Sequence, residues 1–266
     1  MSKLTESLNK INSLEELSEG NTVIHKLHPM AKMITTIVYM VVVISFDKYD
    51  ISAMIPLFLY PILMMSLGEI PYRSVLSRLL IALPFSFFAG LSNPFFDREI
   101  AVSLIGLPVS YGFLSLISII IKTVLTVMAV LILIATTPMD KLSSQLIRAK
   151  VPKMFVMQIM LTYRYLGLLI TEVRNMVTAY HLRSGRQKGI RLVHAGTFMG
   201  QLLLRSFERA EKVYLAMKCR GFDGEYRFAA SKPVRLWDYC YGILVCCVIV
   251  LFRFVNFSLL IGSLFG

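Results

Sequence analysis

The most constraining feature of the chain is a set of five long apolar segments, each close to the length of a membrane-spanning helix. A helix needs about 20 mostly apolar residues to cross the hydrocarbon core of a bilayer. Hydrophobic residues make up 56% of the 266-residue chain and charged residues only 17%, whereas a soluble domain carries about 25% charged residues. The sequence therefore predicts an all-α integral membrane protein with about five transmembrane helices. The segments are 30–46, 51–67, 79–96, 112–135 and 239–265.

Two further stretches bear on how the chain enters the membrane. Residues 100–111 are apolar but too short for a crossing, so we expect a re-entrant or surface segment there. Residues 1–22 mix basic and acidic side chains and lack the apolar core of a cleavable signal. Insertion is therefore expected to rely on the internal spans.

Positive charge is concentrated between the fourth and fifth spans. Residues 136–238 contain 18 Lys and Arg against 7 Asp and Glu, a net of +11 out of the chain's +12. Lys and Arg collect in cytoplasmic loops. The short loops agree, since Arg73 and Arg78 separate spans two and three, whereas Asp47 and Asp97 follow spans one and three. We expect the N-terminus and the basic segment in the cytoplasm and the C-terminus outside. The predicted parts are an N-terminal cytoplasmic segment (1–29), four spans (30–135), a basic cytoplasmic segment (136–238) and the last span (239–266).

The basic segment is predicted to be an arm built from long amphipathic helices. Residues 151–176 have apolar side chains at helical spacing. Charged residues such as Arg164 argue against a position in the bilayer core, so a helix at the membrane surface or beneath the bundle is favoured over a further span. Gly185 interrupts the pattern, and a second helix is expected over about 192–219. Gly221 is a natural terminator for it.

The sequence lacks the motifs of common catalytic and nucleotide-binding sites. There is no P-loop, no H-E-x-x-H and no G-x-S-x-G, so we expect neither an enzyme nor a bound cofactor. His25 and His28 are three residues apart, but a surface segment before Pro29 is favoured over a shared metal. Nucleic-acid binding is disfavoured because the basic helices carry long aliphatic faces and no known binding module.

Lys122 and Arg253 lie inside apolar spans and need an explanation. Each either faces the bundle interior, polar backbone or a partner chain, or extends its charge to the membrane interface. Almost no Asp or Glu lies in the spans to pair with them. A structural or partner-contact role is therefore favoured over a transport site.

The segment 209–224 (RAEKVYLAMKCRGFDG) resembles the T components of energy-coupling factor (ECF) transporters, and most closely the CbiQ-like members associated with cobalt uptake. That family has two short Arg-centred motifs, often Ala-Arg-Gly, at the ends of its cytoplasmic coupling helices. The second motif reads Cys219-Arg220-Gly221 here. The first looks like Leu182-Arg183-Ser184, followed by Gly185, and departs further from the pattern.

Two other segments also look familial, namely 162–165 (TYRY) and 27–32 (LHPMAK). In the second of these, His28 and Met30 stand where Asp and Arg are common. The resemblance covers most of the chain, from about residue 17 to 265.

The resemblance implies a coupling protein in a prokaryotic plasma membrane, with two ATP-binding cassette ATPase subunits and a substrate-binding S component as partners. The arm would then transmit ATP-driven motion to the S component for uptake of a transition-metal ion, cobalt by subfamily likeness. Nickel, another metal or a vitamin stays open, because selectivity belongs to the S component. The implied ATPase contacts are Arg183, Ser184, Gly185, Arg220 and Gly221, with Arg164, Arg209 and Glu211 in support.

Two other functions are alternatives to a coupling protein. A permease of another ABC importer class would carry its own substrate path and meet the ATPase through one short loop helix. A membrane-embedded transferase would need an acid–base constellation that the sequence lacks.

Overall fold

The computed structural model describes residues 18, 20–96, 100–104, 107–184, 192–224 and 234–254. Helices dominate the described part of the chain, as expected, with one short antiparallel hairpin as the exception. The elements in chain order are α1 (Val23–Lys26), α2 (Pro29–Ser45), α3 (Ile51–Met54), a 3-10 turn (Ile55–Phe58), α4 (Leu59–Gly68), α5 (Tyr72–Gly90), α6 (Asn93–Phe96), β1 (Ile100–Leu104), β2 (Leu107–Ser110), α7 (Tyr111–Thr136), α8 (Met139–Arg148), α9 (Lys153–Ser184), α10 (Leu192–Cys219) and α11 (Leu236–Phe254).

The chain divides into two compact units. The first, here called the bundle, comprises Leu14–Pro138 and Lys232–Gly266, and it contains α1 to α7 and α11. The second comprises Met1–Ser13 and Met139–Ser231. Its part from Met139 to Ser231, here called the arm, contains α8, α9 and α10.

Most of the described residues of the predicted spans are helical, but the third span, predicted to run to residue 96, ends at Gly90 and is followed by a turn. By length and hydropathy α5, α7, α9 and α11 are able to cross a membrane, whereas α2 and the helical segment Ile51–Leu67 are shorter. The placement of α9 at the membrane surface stays a prediction. The third span begins at Tyr72 and not at residue 79, so Arg73 and Arg78 lie within the first turns of α5 and not in a loop.

The prolines of the second span interrupt its α-helical hydrogen bonding, and a tyrosine from the first span bonds a carbonyl that is left without its helical partner. A proline has no N–H and therefore leaves the carbonyl four residues earlier without its helical partner. Pro61 does this to the carbonyl of Leu57, and the hydroxyl of Tyr39 donates a 3.0 Å hydrogen bond to that oxygen. The Tyr39 side chain is fully buried and stacks on Tyr60, with ring centroids 4.5 Å apart.

Strands β1 and β2 occupy most of the segment 100–111, and its placement as a re-entrant or surface segment stays a prediction. Strands β1 and β2 pair antiparallel, with Leu104 opposite Leu107 at the turn. A five-residue strand is only about 17 Å long, which is well short of the hydrocarbon thickness of a bilayer. The hairpin is therefore not a sixth crossing, and it is the one departure from an all-helical chain in the described residues.

Both basic residues within the spans bind backbone at the C-terminal end of α2. The last carbonyls of a helix have no partner within it. The ammonium of Lys122 donates to the carbonyl of Phe46, and the guanidinium of Arg253 donates to the carbonyl of Ser45 at 3.2 Å. Arg253 also lies over the ring of Phe46, 4.7 Å from its centroid. Polar backbone is thus the explanation for these two cations.

Small residues let α7 approach its neighbours closely. Without polar side chains to drive association, membrane helices pack best where small residues bring their backbones together. A Cβ atom built on Gly112 would lie 2.5 Å from the carbonyl oxygen of Asn93 and 2.6 Å from the Cα of Pro94. One turn further on, the hydroxyl of Ser115 accepts a 2.8 Å hydrogen bond from the Asn93 amide. The start of α7 is thus fitted to α6 at backbone distance.

We predict that Gly112→Ala destabilises the protein by about 1–3 kcal/mol, because the added methyl group meets fixed backbone and not a mobile side chain. Thermal unfolding of the full chain in detergent measures the change. Gly167→Ala is the matched control, since nothing lies within 4 Å of a Cβ at that helical position. It should stabilise α9 by about 0.5–1 kcal/mol. Equal melting temperatures for the two variants would contradict the close packing at Gly112.

Candidate functional site

The arm is organised around α9 and α10, which pair in antiparallel fashion. Glu172 of α9 forms an ion pair with Arg205 of α10. Nearer the end of α9, the ring of Tyr180 lies 6.0 Å from that of His194 at the start of α10. The later residue of α9 contacts the earlier residue of α10, so the two helices run in opposite directions.

The antiparallel pairing carries the two predicted Arg motifs away from each other. Arg183 lies 11 residues beyond Glu172 and Arg220 lies 15 residues beyond Arg205. At 1.5 Å per residue these are distances of about 16 and 22 Å, directed along opposite ends of the helix pair. Arg183 and Arg220 therefore lie toward opposite ends of the helix pair.

The end of α10 is a Schellman motif with Arg220 at its boundary. The N–H of Phe222 donates to the carbonyl of Met217 at 3.1 Å, and the N–H of Gly221 donates to that of Lys218 at 2.9 Å. Gly221 has a φ of +79°, a left-handed conformation that side chains other than glycine's resist. These bonds satisfy the last carbonyls of α10 and leave the exposed Arg220 side chain at a fixed helix end.

The end of α9 is built differently. Arg183 is exposed and lies inside the last helical turn, together with His181. Ser184 is the last helical residue, and its buried hydroxyl has no hydrogen-bond partner among the residues that the structure describes. Gly185, which the resemblance places in the first motif, lies outside the described residues. Both Arg side chains of the predicted motifs are thus at helix ends and exposed.

The three supporting residues are divided between the faces of the helices. Arg209 lines the groove between α9 and α10, beside Arg205 and Lys212. Arg164 and Glu211 are exposed and take no part in that groove. Sequence reasoning missed the Glu172–Arg205 pair, because 33 residues separate its members and no local spacing joins them.

A stripe of exposed apolar side chains runs along α10. Positions 193, 196, 200, 203, 207 and 214 are three, four or seven residues apart, which places them on one helix face. Arg205 and Arg209 point away from this face toward the groove. Two glycines, Gly196 and Gly200, fall on the stripe with open space beside them. The large exposed members are Val193, Leu203, Phe207 and Tyr214.

Comparison with known proteins identifies the kind of chain that carries these features. A family model for CbiQ, described as cobalt transport protein, matches residues 20–229, which is well over half of the chain. The chain belongs to the CbiQ family.

Named relatives agree with the family assignment. The chain is 26% identical to the energy-coupling factor transporter transmembrane protein EcfT of Ruminiclostridium cellulolyticum, over 88% of this chain and 91% of that protein. It is 31% identical to the cobalt transport protein CbiQ of Rhodobacter capsulatus over 38% of this chain and 42% of that protein. It is 28% identical to the nickel permease LarQ of Lactiplantibacillus plantarum, over 39% of this chain and 38% of that protein. This CbiQ-like chain is therefore a membrane-embedded T component of the ECF type.

The departure of the family segment at His28 has a structural counterpart. His28 is the N-cap of α2, and its Nδ1 accepts a 3.1 Å hydrogen bond from the N–H of Met30. An Asp carboxylate at an N-cap likewise accepts a hydrogen bond from a backbone N–H of the first turn. His25 lies on the separate helix α1, where its Nδ1 is 2.6 Å from the hydroxyl of Thr22. Each Nδ1 of the two histidines thus has its own local partner.

We predict that the Glu172–Arg205 pair couples α9 to α10 by about 0.5–1 kcal/mol, because it is partly exposed to solvent. A double-mutant cycle with Glu172→Gln and Arg205→Gln, read by unfolding of the full chain in detergent, measures the coupling. It should shrink in high salt, since exposed charges are screened. The same cycle on Arg174 and Glu208, which form no pair with each other, should give no coupling. A null result for Glu172 and Arg205 would contradict the pairing.

Proposed function

We propose that this T component couples two ATPase subunits to a substrate-binding S component in a prokaryotic plasma membrane. The exposed Arg220 at the Schellman end of α10 is the observation that supports the proposal most strongly. Arginine presents a planar fork of donors that stays charged and binds carboxylates with defined geometry. Fixed to a capped helix end, it is suited to enter an acidic groove on a partner.

Arg183 and Arg220 are proposed to contact the two ATPase subunits separately. The antiparallel pairing of α9 and α10 supports this, because it directs the two helix ends apart along the arm. Ser184, Gly185 and Gly221 shape the surroundings of the two Arg residues. The name energy-coupling factor transporter, carried by a relative that matches nearly the whole chain, supports the presence of an ATPase partner.

The proposed orientation places the N-terminus and the arm in the cytoplasm and the C-terminus outside. The charge distribution supports it, since the segment 136–238 carries a net charge of +11. An ATPase that uses cytoplasmic ATP requires the Arg-bearing ends on that side. The exposed apolar stripe on α10 is proposed to lie against apolar membrane components of the same assembly, where water is excluded from it.

The proposed cargo is a divalent transition-metal ion, with cobalt preferred. The family description names cobalt transport, and one relative is named a nickel permease. The described residues of this chain contain no group of three or more His, Cys, Asp or Glu that could hold a metal ion. Selection of the ion is accordingly assigned to the S component.

We predict that Arg183→Ala with Arg220→Ala abolishes uptake and weakens ATPase co-purification while the chain still inserts in the membrane. Loss of an arginine that is buried on docking costs on the order of 2–5 kcal/mol. Affinity purification in mild detergent measures the association. The matched control is Arg174→Ala with Lys212→Ala, which removes the same charge from the middle of the same two helices. Unchanged ATPase recovery in the first double variant would contradict the proposed contacts.

Gly221→Ala tests the geometry of the second contact without removing a charge. No atom lies within 4 Å of a Cβ at Gly221, so the cost comes from its φ of +79° alone, at about 1 kcal/mol. Displacement of the capped end should weaken ATPase recovery. Gly167→Ala, also in open space but in helical conformation on α9, should leave recovery unchanged. Equal recovery from both variants would show that the left-handed cap does not position Arg220.

A further inference from the structure

The first turn of α2 holds the C-terminal end of α7 through a buried lysine. Lys32 is only 2% exposed. Its ammonium donates a 2.7 Å hydrogen bond to the carbonyl of Thr136, the last residue of α7. This oxygen is one of the terminal carbonyls that lack a helical partner, and a cation is favoured at the negative end of the helix dipole. The interaction thus fixes the point at which the chain leaves the bundle.

The same turn of α2 also holds the start of α11, through a buried carboxylate. Asp238 is 6% exposed. Its Oδ2 accepts a 2.8 Å hydrogen bond from the N–H of Arg235, and its Oδ1 accepts one of 2.8 Å from the N–H of His28. The carboxylate therefore caps its own helix and at the same time ties that helix to the N-cap of α2.

These two contacts lie next to both points at which the chain passes between bundle and arm. The chain enters the arm after Pro138, two residues beyond Thr136. It returns to the bundle at Lys232, three residues before Arg235. Both passages are thus bounded, on the bundle side, by a charged and buried hydrogen bond to the first turn of α2.

We propose that Lys32 and Asp238 are positioning residues that anchor both ends of the arm, so that force on the arm is delivered to the bundle and not lost in local unwinding. This inference rests on the proposed coupling function. A hydrogen bond to a charged group is stronger than a neutral one, and a buried one does not compete with water. With either anchor removed, a displaced arm unwinds the end of α7 or α11 before it moves the bundle.

The first test measures the anchors in the isolated full-length chain, without partners. Lys32→Met removes the donor while nearly preserving side-chain volume, and Asp238→Asn removes one of the two acceptors. Hydrogen exchange of the last turn of α7 and the first turn of α11 should accelerate about tenfold or more, which is the effect of losing one charged hydrogen bond on local opening. Asp140→Asn and Lys141→Met, exposed residues just inside the arm, should leave exchange unchanged.

The second test measures coupling in the assembled complex in liposomes. The anchor variants should bind the ATPase and hydrolyse ATP as the wild type does, while substrate transported per ATP falls severalfold. The two exposed controls should keep the wild-type ratio. Asp238→Asn is the milder change, because asparagine retains one acceptor oxygen, and it carries the test if Lys32→Met does not accumulate in the membrane.

The outcomes separate this inference from the proposed function. Faster exchange with an unchanged transport-to-ATP ratio would mean that the anchors are structural only and would overturn the inference. Unchanged exchange would overturn it as well, because the contacts would not hold the passages. If the wild-type chain itself bound no ATPase, the proposed function would fail, and the inference with it, whatever the exchange data showed.

Discussion

The structure depends on a requirement at helix ends that are shielded from water: backbone carbonyls with no helical partner must accept a hydrogen bond from another donor. In this chain long polar side chains from neighbouring helices meet the requirement. Lys32 bonds the last residue of α7, and Lys122 and Arg253 bond the end of α2. Tyr39 does the same for the carbonyl that Pro61 leaves open. Because each donor belongs to a different helix from its acceptor, these contacts also determine which helices lie side by side.

The need to bond these carbonyls explains why so hydrophobic a chain contains lysine and arginine within its spans. An isolated cation in a membrane helix is expensive, and a carboxylate partner would add a second charge to be buried. The C-terminal end of a helix already carries partial negative charge. A cation bonded there needs no carboxylate partner, so no second ion has to be desolvated. Lys32, Lys122 and Arg253 therefore have a structural role, since each bonds the end of a neighbouring helix. In the arm, by contrast, Arg183 and Arg220 are exposed at helix ends.

The sequence predicts the elements well where local periodicity decides them. Helix α10 has the predicted limits of 192 and 219, and α7 extends the predicted span by a single residue at each end. The sequence does not predict hydrogen bonds between residues that are far apart in the chain. Lys32 and Thr136 are 104 residues apart, and His28 and Asp238 are 210 residues apart. The hairpin between α6 and α7 was also beyond reach, since its few apolar residues have no period long enough to distinguish strand from loop. For the arm, the sequence placed the Arg motifs at helix ends but gave no sign of how the helices pair.

The two Arg-bearing ends differ in ways that bear on coupling. Arg220 stands at a Schellman cap whose glycine fixes the direction of the chain beyond it. Arg183 is the next-to-last residue of α9, which continues to Ser184. A partner bound at Arg220 meets a rigid and satisfied helix end, whereas one bound at Arg183 meets a side chain on a helical surface. Of the two motifs, the described residues thus show a capped helix end only at Arg220, since residues 185–191 lie outside the described part of the chain.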